Sequence, residues 1–194
     1  MATPREEARR YSVAEYLKME DASETKHEYY DGEIVAFPGV SIEHDTIALN
    51  ASATLRLRLR GTDCRVFTSD VRVRTAGRMY AYPDVKVACG ERRFTEESVP
   101  ALLNPVLIVE VLSPSTRGYD RGDKFVQYRT VPTLREYVLI EQTRVHVEQF
   151  RRGEGGLWIL REYKDLGETL QLESIGVSLP LATVYEDVEL GPEE

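Results

Sequence analysis

Two hydrophobic periods alternate along this chain. "YSVAEYLKM" places Ser12 and Glu15 three residues apart ahead of apolar positions, the signature of a capping box and a short helix. Ile47, Ala48, Ala51, Leu55 and Leu59 fall near helical spacing. They predict a long helix that Ser41 caps, that runs to about Arg60 and that stops at Gly61. Between these helices, "KHEYYDGEIVAF" sets Asp31-Gly32 between two strand-like pieces, a hairpin signal. "CRVFTSDVRVRT" reads as strand with a break near Ser69, and "AYPDVKVAC" as a further strand with Pro83 at its start. "VLIVEVL", Val106 to Leu112, reads as a strand buried on both faces. Asp120 and Asp123 open a helix that Pro132 ends. "REYVLIE" and "RVHVEQFRR" are predicted strands around a tight turn, "LWILREYKD" adds one more, and "LPLATVYEDV" closes with a helical turn. Helices and strands intermix, which predicts an α/β fold with a central mixed sheet and antiparallel hairpins.

Composition narrows the class. A chain of 194 residues predicts one domain over 1–194, with its core over about 13–188. Its 42% hydrophobic and 30% charged residues suit an ordinary globular protein. No run approaches the roughly 18 apolar residues of a membrane span, and "MATPREEARR" has no apolar signal-peptide core, so the chain reads as cytoplasmic. Cys64 and Cys89 form no CxxC pair and suggest neither a zinc site nor a disulfide framework. The net charge of −8 argues against a broad basic coat for unspecific nucleic-acid binding, while leaving room for a local basic groove.

The candidate chemistry lies at two acidic intruders. Glu110 sits inside the buried run, where an unpaired carboxylate is costly. Asp84 interrupts "YPDVKVAC", and a side-chain period of two puts Tyr82, Asp84 and Lys86 on one face. If the two strands are neighbours, Asp84 and Glu110 converge, and a divalent cation such as Mg²⁺ is their natural partner. On spacing alone the alternatives stay open: an arginine pairing Glu110, and Asp84 capping a turn after Pro83.

The text around these residues resembles a known family. Pro83-Asp84 followed by Glu110-Val111-Leu112 is similar to the PD-(D/E)XK nuclease motif. "LIVEVLSPSTRGYDRGDKFVQYRTVPTLREYVLIE", together with "EYYDGEIV", His44 and "YPDVKV", resembles the Uma2 family of restriction-endonuclease-like proteins over about residues 13–188. The resemblance implies a restriction-endonuclease-like fold, a central mixed sheet flanked by helices, and a metal-dependent nuclease site. Its third motif residue, a lysine, belongs two positions after Glu110, where this chain has Leu112. Lys124 matches the lysine of the family's helix and is the first candidate to replace it; Lys86, beside Asp84, is its rival.

The resemblance thus implies catalytic Asp84, Glu110 and Lys124, and Mg²⁺ or Mn²⁺ held by Asp84, Glu110 and the Val111 carbonyl. Glu28 and His44 are possible accessory residues, as is Lys86. The expected activity is hydrolysis of phosphodiester bonds in DNA. The alternative is a non-catalytic nucleic-acid-binding or interaction module with a degraded site. Arg117, Arg121 and Arg129 surround the Lys124 region, either as a phosphate-binding surface or as a solvated face. Cutting both strands of a duplex needs two sites, so the expected assembly is a homodimer.

Overall fold

The computed structural model describes residues 9–37, 39–77 and 79–191. The N-terminal stretch read for a signal peptide lies outside them up to residue 8. Helix α1 (Val13–Ala22) starts with both halves of the capping box: Glu15 N–H donates to Ser12 Oγ, and Ser12 N–H donates to Glu15 at 2.8 Å. Tyr16 is buried on the inner face of α1, 5.1 Å from the ring of Tyr29 and 5.4 Å from that of Tyr80. Strands β1 (His27–Tyr30) and β2 (Glu33–Ala36) form the expected hairpin. Its two turn residues, Asp31 and Gly32, have φ of 43° and 92°, as a primed two-residue turn requires. Ser41 caps α2 (Ile42–Arg58) by accepting from the His44 amide.

The chain then crosses between two sheets. Strands β3 (Arg65–Thr68), β4 (Val73–Arg74), β5 (Tyr80–Ala81) and β6 (Val85–Ala88) precede β7 (Leu107–Leu112). A three-part helical run follows: α3 (Arg117–Tyr119), a π-helical turn (Asp120–Lys124) and α4 (Phe125–Tyr128). Next come β8 (Glu136–Glu141), β9 (Val147–Arg152), β10 (Trp158–Tyr163), β11 (Thr169–Leu172), β12 (Val177–Pro180) and α5 (Leu181–Val184). The central sheet has six strands in the order β10-β9-β8-β7-β6-β3. Only β7 and β8 in it run parallel, and the helical run supplies the crossover that parallel neighbours need. A smaller sheet has the order β2-β1-β5-β4, and β11-β12 is a separate hairpin.

All six residues of β7 are buried, and its two faces enter different cores. Leu107, Val109 and Val111 pack with Ile47, Ala51 and Leu55 of α2. Ile108 and Leu112 pack with Phe125 and Tyr128 of α4 and with Tyr137 and Leu139 of β8. Glu110 belongs to this second face by alternation. Among the described residues, no helix is long and apolar enough to cross a membrane.

Three sequence expectations change. "AYPDVKVAC" is two strands in two different sheets, because Pro83 has no N–H for the ladder and the chain turns there. The β11–β12 hairpin was not anticipated, although Leu170, Leu172, Val177 and Leu179 alternate inward on both sides of a turn at Gly176, whose φ is 64°. Cys64 and Cys89 are joined by a disulfide. The β3–β6 ladder pairs Arg65 with Ala88, so the two cysteines stand at the next position across it despite 25 residues of separation.

Candidate active site

Asp84 and Glu110 meet through strand register. β6 and β7 are antiparallel, and Val85 pairs with Val109, so the next pair outward is Asp84 with Glu110. Asp84 lies where the chain leaves the small sheet for the central one, and both its oxygens are engaged. Oδ1 is 3.0 Å from His44 Nε2, and Oδ2 accepts from the Val111 amide at 2.7 Å. His44 reaches Asp84 because it sits in the first turn of α2. The sequence pointed to the Val111 carbonyl; the group that meets Asp84 is the Val111 N–H.

Glu110 faces the helical run. Its Oε1 accepts from the Tyr128 hydroxyl at 2.9 Å and lies 3.1 Å from Lys124 Nζ. The same ammonium is 3.2 Å from Glu28 Oε1 and 3.3 Å from Asp120 Oδ1. Glu28 comes from the small sheet, where its Oε1 also accepts from the Tyr82 amide at 3.0 Å. Lys124 therefore ties strand β1, strand β7 and the helix together. It is buried, as are Glu110, Asp120 and Asp84. Asp120 and Lys124 bracket the π-helical turn, a local underwinding frequent where a helix carries a functional group.

Lys86 takes a different place. It is fully buried and donates to the Pro83 carbonyl at 2.7 Å. Leu112, at the motif position for lysine, is part of the apolar core. Asp120, read from the sequence as a helix start, and Tyr128, not singled out there as a site residue, both belong to the site. Their spacing of four from Lys124 was the available signal. Arg117 and Arg121 are committed to acids: Arg121 contacts Glu148 at 3.0 Å and Glu141 at 3.4 Å, and Arg117 contacts Glu141 at 3.5 Å. The phosphate surface considered for them is thus largely neutralised, because "REYVLIE" ends beside this helix.

Burial dominates the electrostatics. It raises the Glu110 pKa to about 8; Lys124 opposes this rise and Asp84 adds to it. It raises Asp120 as well, against Lys124. Burial disfavours the charge on Lys124, yet Glu110, Glu28 and Asp120 outweigh it and hold this pKa well above the ordinary lysine range. Burial lowers Lys86 to about 7, with Glu110 and Asp84 acting against the drop.

A pH prediction follows. Glu110 has a folded pKa above its ordinary 4.5, so its contribution to stability is full below pH 4.5 and is lost as pH rises through about 8. Lys86 has a folded pKa below its ordinary 10.5, so its contribution is full above that pH and is lost as pH falls through about 7. Both penalties coincide between about 7 and about 8. In chelator, the melting temperature should pass through a local minimum in that window, and Glu110→Gln should remove the acid side of it. Thermal melts across the pH range test this. A flat profile in the wild type contradicts the burial argument.

The fold built around these residues is that of a nuclease-like class. A crystal structure from Anabaena variabilis, described as that of a "putative nuclease belonging to DUF820", aligns with a TM-score of 0.73. The alignment covers 90% of this chain and 97% of that one at 17% identity, so the likeness is one of fold. Two uncharacterised proteins of Synechocystis sp. are closer in sequence. One, slr1290, is 37% identical over 175 residues, covering 90% of each chain. The other, sll1609, is 39% identical over 163 residues, covering 84% of this chain and 91% of that protein. The Uma2 family model, described as "Putative restriction endonuclease", matches residues 13–182, and the chain belongs to this family. Family and fold together support a nuclease.

Proposed function

We propose that the protein is a divalent-metal-dependent endonuclease that hydrolyses phosphodiester bonds in DNA. The observation that carries this reading is the convergence of Glu28, Glu110 and Asp120 on Lys124, with Asp84 opposite Glu110 in the sheet. Every acidic donor is a carboxylate oxygen, the hard ligand type that Mg²⁺ and Mn²⁺ prefer. Burial favours the protonated form of Glu110, and a divalent cation beside Asp84 would displace that proton, so the carboxylates would take on charge together with their counter-ion. Asp84, Glu110 and the Val111 backbone are the ligands we assign, with Glu28 contributing through water. A bound ion of this kind supplies positive charge at the scissile phosphate and acidifies nearby water.

The remaining work falls to side chains. His44 fixes the orientation of Asp84, and the Tyr128 hydroxyl fixes that of Glu110. Lys124 donates to the attacking water or to the negative charge that develops on the phosphate. Its pKa is held well above the ordinary lysine range, so Lys124 acts as a charged donor and not as a base. A pair of such sites in a homodimer serves the two strands of a duplex.

One observation favours the non-catalytic alternative: the Lys124 ammonium already lies 3.1–3.3 Å from three carboxylates, so the acids have a partner without any ion. Incubation with duplex DNA, single-stranded DNA and RNA separates the two readings. Cleavage of DNA with Mg²⁺ or Mn²⁺, abolished by chelator, is the expected result. Binding without cleavage under every metal condition supports the module instead, and cleavage of RNA alone overturns the DNA assignment.

A further inference from the structure

The open edge of the central sheet invites a strand. Strand β10 is its last member, and among the described residues it pairs with β9 alone. The Gly153 amide donates to the Leu157 carbonyl, which sets the phase of that ladder. Leu157, Ile159 and Arg161 therefore turn their backbone groups toward β9. Trp158, Leu160 and Glu162 turn theirs outward, a row of N–H and C=O groups with no strand partner. Natural edges are guarded by charges, prolines, bulges or short length. This one instead carries the unbroken apolar run Leu157 to Leu160, in which Leu157 is 70%, Ile159 51% and Leu160 50% exposed. The opposite edge, β3, has four residues and starts with Arg65, and Phe94 packs on its Phe67.

We propose that β10 is the interface between two copies of this chain. The strands pair antiparallel across a two-fold axis normal to the sheet, centred at Ile159. An axis of that direction keeps each face of the sheet on its own side, so opposed residues must have the same parity. Centring at Ile159 satisfies this and brings the outward backbone groups of Trp158 and Leu160 into register with each other. It sets Ile159 opposite Ile159 and Trp158 opposite Leu160, and lays the stem of Arg161 against Leu157. No like charges oppose one another. Centring at Arg161 or Glu162 would instead oppose two like charges on the axis. Among the described residues, these features are self-complementary, which selects a second copy over a foreign strand.

The interface itself does not depend on the nuclease reading, but one consequence does. In the joined sheet, β7 of one copy stands seven strand spacings from β7 of the other, about 34 Å at roughly 4.8 Å each. Both Glu110 sites lie on the same face of the continuous sheet, each turned away from the axis by the strand-to-strand twist. That separation is close to one turn of B-DNA, about 34–36 Å. The spacing of the two sites along the joined sheet thus matches the rise of one helical turn of a duplex.

The test reads mass and cross-linking, so it stands apart from any cleavage result. Light scattering of the full chain over a micromolar concentration series should show the wild type approaching twice 22.1 kDa. Ile159→Lys, an exposed position that would bring two ammonium groups together on the axis, should weaken association at least tenfold while its melting curve stays that of the wild type. Ile159→Cys should form a disulfide-linked dimer under mild oxidation, whereas Cys at exposed Leu166 should not; the native cysteines are already joined to each other. A wild type that stays at 22.1 kDa throughout, or an Ile159→Lys variant that still dimerises, overturns the proposal. If Ile159→Lys unfolds, the Ile159→Cys cross-link decides, and its absence is equally fatal.

Discussion

Lys124→Met should abolish DNA cleavage while leaving Mn²⁺ affinity within a few fold of the wild type. Lysine is not a metal ligand, so the acids keep their oxygens, and what is lost is the donor beside the attacking water. Removing one well-placed donor of this kind costs about 10²–10³ in rate. The change also strips the cation from Glu28, Glu110 and Asp120, a buried cluster. Breaking a buried ion pair on one side typically costs about 3–5 kcal/mol, so the variant must be assayed below its lowered melting temperature. Protonation of Glu110, already displaced upward, limits that cost near neutral pH. Lys86→Met should keep most activity, since Lys86 donates to the Pro83 carbonyl and sits among buried groups that methionine can match in size. Single-turnover rates on folded protein decide the matter. An active Lys124→Met beside an inert Lys86→Met would exchange the two roles.

Asp84→Asn and Glu110→Gln should each collapse divalent-ion binding with the fold retained. Each removes one hard anionic oxygen and keeps the side-chain shape. His44→Ala gives a graded comparison, because His44 touches Asp84 and is no ligand itself. Loss of such an outer partner typically costs roughly 10–100-fold in affinity. The two carboxylate variants should lose more than that, measured by calorimetric titration with Mn²⁺. Equal affinity in all three proteins and the wild type would remove the ion from this site altogether.

Much of the frame was legible because its signals are local. The Ser12–Glu15 box, the Asp31-Gly32 turn and the Ser41 cap each depend on a few neighbouring residues. The opposition of Asp84 and Glu110 needed one further fact, that their strands are neighbours, and the cost of a buried carboxylate pointed toward it. What stayed hidden depends on distant partners. Nothing near Glu28 announces that the small sheet brings it to Lys124. Nothing near Arg121 announces Glu148 across two strands. The cysteine pair follows from a ladder register, which spacing of 25 residues does not encode. The β11–β12 hairpin is a different case, since the alternation of Leu170, Leu172, Val177 and Leu179 about Gly176 is a local signal.

The π-helical turn makes this helix a device of fixed phase. A turn of this kind holds one residue more than an α-turn, and each residue of an α-helix advances by about 100°. At its first residue, the Asp120 carbonyl accepts from the Tyr137 hydroxyl. Downstream, Phe125 stacks on Tyr137 at 5.1 Å and Tyr128 reaches Glu110. Both halves are anchored to the same sheet, so they cannot rotate past each other. Deleting Gly122 would return the segment to an ordinary helix and swing one half away from its anchors. Substitutions at this exposed glycine, by contrast, leave the phase alone, since a Cβ there meets nothing within 4 Å. The segment is therefore tolerant of changed letters and intolerant of a changed count.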